Sequence, residues 1–384
     1  MSVKVGLISY HFLNNYGTML QAYALQRKIC DFGFEAEYID YRLQEIRKSL
    51  FKTLCIRTKR LGIYLLRYKY YSVKAAYASN MAIRKEYFKE FYTKHIRTSP
   101  LQYATLRELE LRPPDYDIYI VGSDQVWNPT LSYVKPAYYL SFIKDNKKKA
   151  SYAPSIGVIS LTPAQGQKMA GYIRDFNYLS CRELSGARLL EDISGRNVLH
   201  VLDPTLLLEQ TIWGELAIKP RIIEPYILCY FLGDTKQPRE FALQLERKTG
   251  IKAYYIPRSP LDMSKKTAIF DVGPSEFLGL VQNASYVCTD SFHGSVFSII
   301  FERQFYSFCK RADTELTSDN SRIKELLRYT GLENRLITSG QSLPDKEYKI
   351  DYHLVESYLG PMKERSEAYL LEILHSTGGR SYVV

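Results

Sequence analysis

One stretch near the end of the second half of the chain decides the fold: Ala284-Ser285-Tyr286-Val287-Cys288-Thr289-Asp290-Ser291-Phe292-His293-Gly294-Ser295-Val296-Phe297-Ser298-Ile299-Ile300. It predicts a short buried strand, a tight polar turn, and then a helix that opens on His293 and Gly294. Such a helix start presents free backbone N–H groups and a partial positive charge, which favour an anion. A histidine there can exchange a proton near neutral pH. The stretch predicts proton transfer beside an anion; the alternative is a histidine that caps its helix or is satisfied in the core.

The rest of the chain predicts two α/β domains. Residues 3–9 form an apolar strand, a turn and a helix follow, and 37–41 starts a second strand, which is how a parallel sheet begins. A second set of strands and helices begins at 226–232. The predicted divisions are an N-terminal domain at 1–205 with a basic helical insertion at 42–112, a C-terminal domain at 206–345, and a helical extension at 346–384.

The composition describes a globular protein. A chain of 384 residues fits two domains of ordinary size, and 46% hydrophobic with 24% charged residues excludes a disordered chain. No apolar run reaches the length of a membrane span, and the first residues resemble a core strand more than a secretory signal, so we expect a cytoplasmic protein. The six cysteines are widely spread, without a C-x-x-C pair. We therefore expect no disulfide framework, no metal site and no cofactor.

Positive charge is concentrated in one segment. Residues 42–97 contain 15 lysines and arginines against three acidic residues, a balance of +12, while the whole chain carries +11. The segment is also rich in tyrosine. Three interpretations apply: a solvated helical face, a nucleic-acid contact, or a contact with anionic lipid. No recognised nucleic-acid module accompanies the charge, so we expect no nucleic-acid partner.

Several motifs together resemble one family. In chain order they are Asn15-Tyr16-Gly17 with Leu20-Gln21 and Ala24-Leu25, Val121-Gly122-Ser123-Asp124-Gln125-Val126-Trp127-Asn128, Ser151-Tyr152-Ala153 with Ser155 and Gly157, Arg182-Glu183 with Ser185-Gly186, Asp203-Pro204-Thr205, Ser291-Phe292-His293-Gly294-Ser295, and Asn320-Ser321-Arg322. With these motifs, which run over most of the chain, it resembles the polysaccharide pyruvyl transferases. The resemblance implies two Rossmann-like domains, GT-B-like, with a C-terminal helix that packs back on the first domain.

The resemblance also implies a reaction. Family members join the pyruvyl carbon of phosphoenolpyruvate to two hydroxyls of a sugar as a cyclic ketal and release phosphate. That chemistry requires a general acid, a general base, and cationic groups for a carboxylate and a phosphate. The acceptor is a glycan, often linked to lipid at the inner membrane face, which makes peripheral contact with an anionic membrane an expectation.

The donor is expected in the second domain. His293 suits the acid–base role, and Arg182, Ser291, Gly294, Ser295 and Arg322 are the donor-binding candidates. Arginine matches both anionic groups of the donor in a bidentate way. The alternatives are a surface ion pair for Arg182, helix capping for Arg322, and N-capping for the two serines. Some family members carry an arginine where this chain has Ser291, so other groups must bind part of the donor.

The acceptor is expected in the first domain, where two loops follow strands. Asp124 can orient or deprotonate an acceptor hydroxyl, or cap a helix, at the sheet edge where open α/β sheets bind ligands. Trp127 can stack on a sugar or belong to the core. Asn15, Tyr16, Gly17 and Gln125 complete the acceptor-binding candidates.

Two other functions stay open at this stage. One is a glycosyltransferase that uses a nucleotide sugar, with His293 as an activating group. The other is a carbohydrate-binding protein without catalysis. The complete histidine motif counts against the second, and the family resemblance counts against the first.

Overall fold

The computed structural model of the protein describes residues 3–42, 77–131, 135–310, 320–344 and 349–376. Its first domain contains, in chain order, β1 (Lys4–Ile8), α1 (Tyr16–Asp31), β2 (Glu35–Tyr41), α2 (Ala78–His95), β3 (Thr98–Tyr103), α3 (Leu106–Leu111), β4 (Ile118–Val121), β5 (Lys149–Ser151), α4 (Pro163–Ile173), β6 (Ser180–Cys181), α5 (Leu184–Ser194) and β7 (Leu199–His200). The 3₁₀ turn Pro204–Leu207 follows.

The first sheet is parallel throughout and has the order β3-β2-β1-β4-β5. Its central strands β1 and β4 are short apolar runs, and every residue of β4 is buried, as expected for strands covered on both faces. Strand order reverses between β1 and β4, so the loops after these two strands diverge and leave a crevice at their carboxyl ends.

The predicted helical insertion is only partly helical among its described residues. Within 42–112, α2 and α3 are helices, but residues 98–103 form β3, the edge strand beside β2. Pro100 explains the difference, because proline is unfavourable inside a helix and tolerated at a sheet edge. Most of the basic segment, residues 43–76, lies outside the described part of the chain.

The second domain contains α6 (Gln210–Leu216), β8 (Tyr226–Tyr230), α7 (Gln237–Thr249), β9 (Lys252–Tyr255), α8 (Pro260–Met263), α9 (Pro274–Gln282), β10 (Tyr286–Thr289), α10 (Phe292–Ile300), β11 (Gln304–Phe308), α11 (Ser321–Tyr329) and β12 (Leu336–Ile337). Its parallel sheet has the order β12-β11-β10-β8-β9. The order reverses between β8 and β10, which creates a second crevice at the carboxyl ends of those strands.

The last helix, α12 (Tyr352–His375), joins both domains. It begins on the second domain, where the Tyr352 hydroxyl donates to the carbonyl of Ser298 at 3.3 Å. It ends on the first domain, where the Tyr369 hydroxyl donates to the carbonyl of Ser151 at 3.0 Å. Pro361 lies inside the helix between these anchors. The predicted fold class is confirmed: two Rossmann-like domains with a C-terminal helix that returns to the first, the GT-B-like arrangement.

Side chains of the first domain contact the second domain directly. Tyr16, at the start of α1, stacks on Phe277 of α9 with ring centroids 4.6 Å apart, and its hydroxyl donates to the carbonyl of Val272 at 2.8 Å. Arg84 of α2 is buried and donates to the carbonyls of Pro257, Ile269 and Phe270 in the second domain. The crevices of the two domains therefore face each other across a fixed interface.

The return of α12 gives a prediction for stability. Leu370 is fully buried in the core that α12 shares with the first domain, so Leu370→Ala should reduce the free energy of unfolding by about 2–5 kcal/mol. Leu354 on the same helix is 49% exposed, and Leu354→Ala should change the free energy of unfolding by about 0.5 kcal/mol or less. Urea denaturation of both variants is the measurement; equal losses would mean that the helix does not bury Leu370 against the domain.

Candidate active site

The histidine motif forms the strand, turn and helix that its sequence predicts. Ser291 is the N-cap of α10, and its hydroxyl accepts a hydrogen bond from the Gly294 amide at 3.3 Å. Thr289, the last residue of β10, lies so close that a Cβ on Gly294 would be 2.4 Å from its hydroxyl oxygen. The Ser295 hydroxyl is paired with that of Ser307 at 2.7 Å. His293 is therefore fixed in the first turn of α10, at the carboxyl end of β10.

Asp203 is the centre of the site. It follows β7, is fully buried, and one of its carboxylate oxygens accepts hydrogen bonds from the amide and the hydroxyl of Thr205 at 3.0 and 2.6 Å. Its other oxygen lies 2.8 Å from Nη1 of Arg182, 3.4 Å from Nε2 of His293 and 3.3 Å from the hydroxyl of Ser123. One carboxylate thus contacts groups from the first domain, from the second domain, and from Thr205 in the segment that connects them.

The surroundings of Asp203 keep it ionised. Burial alone raises the pKa of a carboxyl group, but the nearby His293 and Arg182, with hydrogen bonds from Arg182 and the hydroxyl of Thr205, outweigh it and hold the pKa of Asp203 well below its usual range. The carboxylate of Asp203 lies 3.4 Å from Nε2 of His293, close enough to orient the imidazole ring.

The other edge of the imidazole lies against the first domain. A Cβ built on Gly17, at the start of α1, would be 2.0 Å from Nδ1 of His293. The backbone of Gly17 therefore approaches the ring as closely as only a residue without a side chain allows. With a proton on Nε2 toward Asp203, the Nδ1 lone pair is on the Gly17 side, where the two crevices meet.

Arg182 lies inside the protein. Its Nε is 3.0 Å from Oε1 of Glu183, its Nη1 bonds Asp203, and its guanidinium lies over the ring of Phe292 at 4.4 Å. The side chain is 1% exposed, so the ion pair with Glu183 is a buried one and not the surface pair of the alternative. Two carboxylates already balance its charge. This position favours a role in holding Asp203 and the start of α10, and donor contact by Arg182 stays a prediction.

Asp124 lies at the crevice of the first domain. It has a left-handed backbone (φ 69°), which asparagine and aspartate adopt more readily than other residues. Its carboxylate accepts from the hydroxyl of Thr18 at 2.6 Å and from the amide of Gln125 at 2.9 Å. Asp124 therefore bridges the loop after β4 to the first turn of α1, next to Gly17, and is 8% exposed.

The remaining predicted residues have mainly structural contacts. Asn15 is the N-cap of α1, and the Gln125 side chain accepts a hydrogen bond from the side-chain Nδ2 of Asn128 at 2.6 Å. Trp127 is fully buried and donates to the carbonyl of Tyr138, which is the position of a core residue. Arg322 is buried near the start of α11. Their roles toward substrates stay predictions.

Asp203 was not among the site residues predicted from the sequence, where it appeared only in the family motif Asp203-Pro204-Thr205. One signal was present, because an aspartate two residues before a threonine, with proline between them, is typical of a side chain that bonds its own turn. What the pattern could not show is that Arg182, 21 positions earlier, and His293 approach the same oxygen.

Two Rossmann-like domains whose crevices meet at a buried His–Asp pair define a GT-B-like enzyme. The family model "Polysaccharide pyruvyl transferase" matches residues 15–308, more than half of the chain. The protein belongs to the polysaccharide pyruvyl transferase family, a family of transferases. The family named from the motifs is thereby confirmed.

The solved structures that match the chain are distant in sequence. The UDP-GlcNAc 2-epimerase from Methanocaldococcus jannaschii is 13% identical, with 97% of this chain and 99% of that chain covered and a TM-score of 0.47. A putative UDP-N-acetylglucosamine 2-epimerase from Listeria monocytogenes is 11% identical, with 96% and 97% covered and a TM-score of 0.45. The E. coli heptosyltransferase WaaC is 9% identical, with 93% and 99% covered and a TM-score of 0.39. No curated protein sequence matches the chain.

The contact between Gly17 and His293 gives a prediction for catalysis. Gly17→Ala should lower transfer activity about 100-fold or more, because the new methyl group pushes the imidazole away from its position beside Asp203. The matched control is Gly171→Ala in α4, where an added Cβ meets no atom within 4 Å. Steady-state kinetics and the imidazole NMR signals of His293 report both effects. Normal activity with unshifted signals in Gly17→Ala would contradict the described packing.

Proposed function

We propose that the protein transfers the enolpyruvyl group of phosphoenolpyruvate to a sugar of a surface-polysaccharide precursor, forms a cyclic pyruvate ketal and releases phosphate. The observation that carries this proposal is the buried Asp203–His293 pair between the two crevices, in a chain of the pyruvyl transferase family. The pair supplies the proton exchange that the reaction needs.

The proposed first step adds a proton and a hydroxyl to the enol. His293, in its protonated form and oriented by Asp203, gives its proton to the methylene carbon of phosphoenolpyruvate, which becomes a methyl group. A sugar hydroxyl attacks the adjacent carbon. Asp124, which the Thr18 hydroxyl and the Gln125 amide hold at the crevice of the first domain, orients that hydroxyl. The hydroxyl proton restores the protonated form of His293.

The proposed second step closes the ring. The bond between the former enol carbon and the phosphate oxygen breaks, and a second hydroxyl of the same sugar attacks that carbon. Its proton leaves with the phosphate. Of the two hydroxyl protons, one replaces the proton given to the methyl group and the other is on the released phosphate, so atoms and charges balance without an oxidant or a metal ion.

The anionic donor fits the second domain. The first-turn amides of Phe292 and His293 in α10 make no hydrogen bond to another described residue, and they point out of the helix start where anions bind. The hydroxyl of Ser291 and the amide of Gly294 are already paired with each other. We therefore assign the donor to α10 and the acceptor to the loops after β1 and β4.

A substitution of His293 tests the reaction. His293→Ala should keep the fold and lower phosphate release from phosphoenolpyruvate, with a glycan acceptor, about 100-fold or more, because acid–base catalysis is lost. His353→Ala is the matched control, since His353 is exposed near the start of α12. Activity of His293→Ala within a few-fold of wild type would refute the assigned role. Thermal stabilisation by nucleotide sugars, without turnover of phosphoenolpyruvate, would favour the glycosyltransferase alternative.

We further propose that the acceptor is linked to lipid and that the protein acts in the cytoplasm, in peripheral contact with the membrane. None of the described helices has the length and apolar character needed to cross a bilayer. The balance of +12 in residues 42–97 supports attraction to anionic lipid, at about 1 kcal/mol for each basic residue near the surface. Arg84 is an exception within that segment, because it is buried in the domain interface.

A charge-matched pair of variants tests the membrane contact. Replacing Arg57, Lys59, Arg60 and Arg67 by glutamine should weaken binding to anionic liposomes at least tenfold, and salt should weaken wild-type binding as well. Turnover of a short soluble acceptor should stay unchanged. The control replaces the exposed Lys219, Arg221, Lys236 and Arg247 of the second domain, which removes the same charge. Equal liposome binding by both variants would mean that the basic segment 42–97 is only a solvated helical face. Tight, salt-sensitive RNA binding would support a nucleic-acid contact instead.

A further inference from the structure

Arg258 lies at the crevice of the second domain. Strand β9 pairs in parallel with β8, so the residues after Tyr255 emerge at the same sheet edge as the end of β8. Arg258 is half-buried there, directly before Ser259, the N-cap of α8. The segment is thus one strand away from the point between β8 and β10 where the strand order of the second sheet reverses.

No carboxylate among the described residues forms an ion pair with Arg258. The structure gives it no hydrogen bond and no ion pair within those ranges. Arg239, on the same side of the domain, bonds both carboxylate oxygens of Asp262 at 2.7 and 2.6 Å. Arg182 is balanced by Glu183 and Asp203. A guanidinium at this place without an anionic partner has its donors available to a carboxylate or phosphate of a ligand.

The neighbours of Arg258 connect it to the reaction site. Burial raises the pKa values of Tyr16 and Tyr230, and the positive charge of Arg258 opposes that rise at both hydroxyls. The rings of these tyrosines are in edge contact, with centroids 5.4 Å apart. Tyr16 directly precedes Gly17, whose backbone contacts the His293 ring. Arg258 is therefore close to the junction of the two crevices.

Arg84 holds the backbone around Arg258. Its Nη1 donates to the carbonyl of Pro257 at 2.6 Å, while Nε and Nη2 donate to the carbonyls of Phe270 and Ile269, each at 3.1 Å. These bonds come from α2 of the first domain and fix the residue directly before Arg258. The position of the guanidinium thus depends on the interface between the domains.

We propose that Arg258 binds an anionic group, a phosphate or a carboxylate, of a ligand in the interdomain crevice, and that Arg84 is its positioning residue. Naming phosphoenolpyruvate as that ligand rests on the proposed function. Arg258 then supplies a cation that can bind an anion with two hydrogen bonds. Ser291 carries no charge, and the guanidinium of Arg182 is already paired with Glu183 and Asp203.

Calorimetric titration with inorganic phosphate, pyruvate and phosphoenolpyruvate tests the proposal. Arg258→Gln should weaken binding of phosphoenolpyruvate, and of at least one of the two smaller anions, by tenfold or more, and Arg258→Lys should weaken it less. The smaller anion that loses affinity identifies the group that Arg258 contacts. Arg247→Gln, an exposed position on α7, is the control for net charge and should bind as wild type does. Melting temperatures should agree among the three variants.

The role of Arg84 has its own readout. Arg84→Lys should weaken anion binding in the wild-type background, and it should have no further effect when Arg258 is already glutamine. Equal losses in both backgrounds would show that Arg84 acts through general stability and would overturn its positioning role.

The other outcomes separate this proposal from the proposed function. Unchanged anion affinity in Arg258→Gln, an equal loss in Arg247→Gln, or no anion binding by the wild-type protein would each overturn the assignment of Arg258. Anion binding that depends on Arg258, without ketal formation on any glycan of the panel, would support Arg258 and contradict the transferase reaction. Ketal formation with normal donor affinity in Arg258→Gln would support the transferase reaction and contradict the role of Arg258.

Discussion

The site depends on a single buried negative charge. A carboxylate removed from water is costly unless other groups compensate it, and Asp203 is compensated by partners from three parts of the chain: Thr205 beside it, Arg182 from the first domain and His293 from the second. These partners must be in place together, because each one removed leaves the charge less compensated. The carboxylate therefore couples folding of the connector, closure of the interface and orientation of the imidazole.

Local pattern predicted the elements better than their arrangement. The apolar runs of β1, β4 and β8 and the turn before α10 are visible in the sequence, because burial on both faces and helix capping leave local signatures. Strand order has no such signature, since parallel partners are joined through long crossovers. For the same reason β3 was placed in a helical insertion, although Thr98 pairs with Tyr38 some 60 positions earlier.

A site residue could be predicted from the sequence where its immediate neighbours in the chain determine its local structure. His293 is such a case, because Ser291 and Gly294 build the helix start around it. Gly17 was predicted as an acceptor-binding residue, and its sequence gave no sign that its backbone lies against the imidazole of His293. Asp203, and the inward direction of Arg182, depend on contacts between distant segments. Charge and residue type gave no means to distinguish a buried arginine from one that is open to a ligand.

The position of Pro361 has a mechanical consequence. Helix α12 is anchored to the second domain near Tyr352 and to the first near Tyr369, so it links the two domains. A proline inside a helix removes one backbone hydrogen bond and weakens the helix at that turn. Pro361 thus places a locally weakened turn in the segment of α12 that crosses from one domain to the other, on the chain's last helix and away from the chemistry.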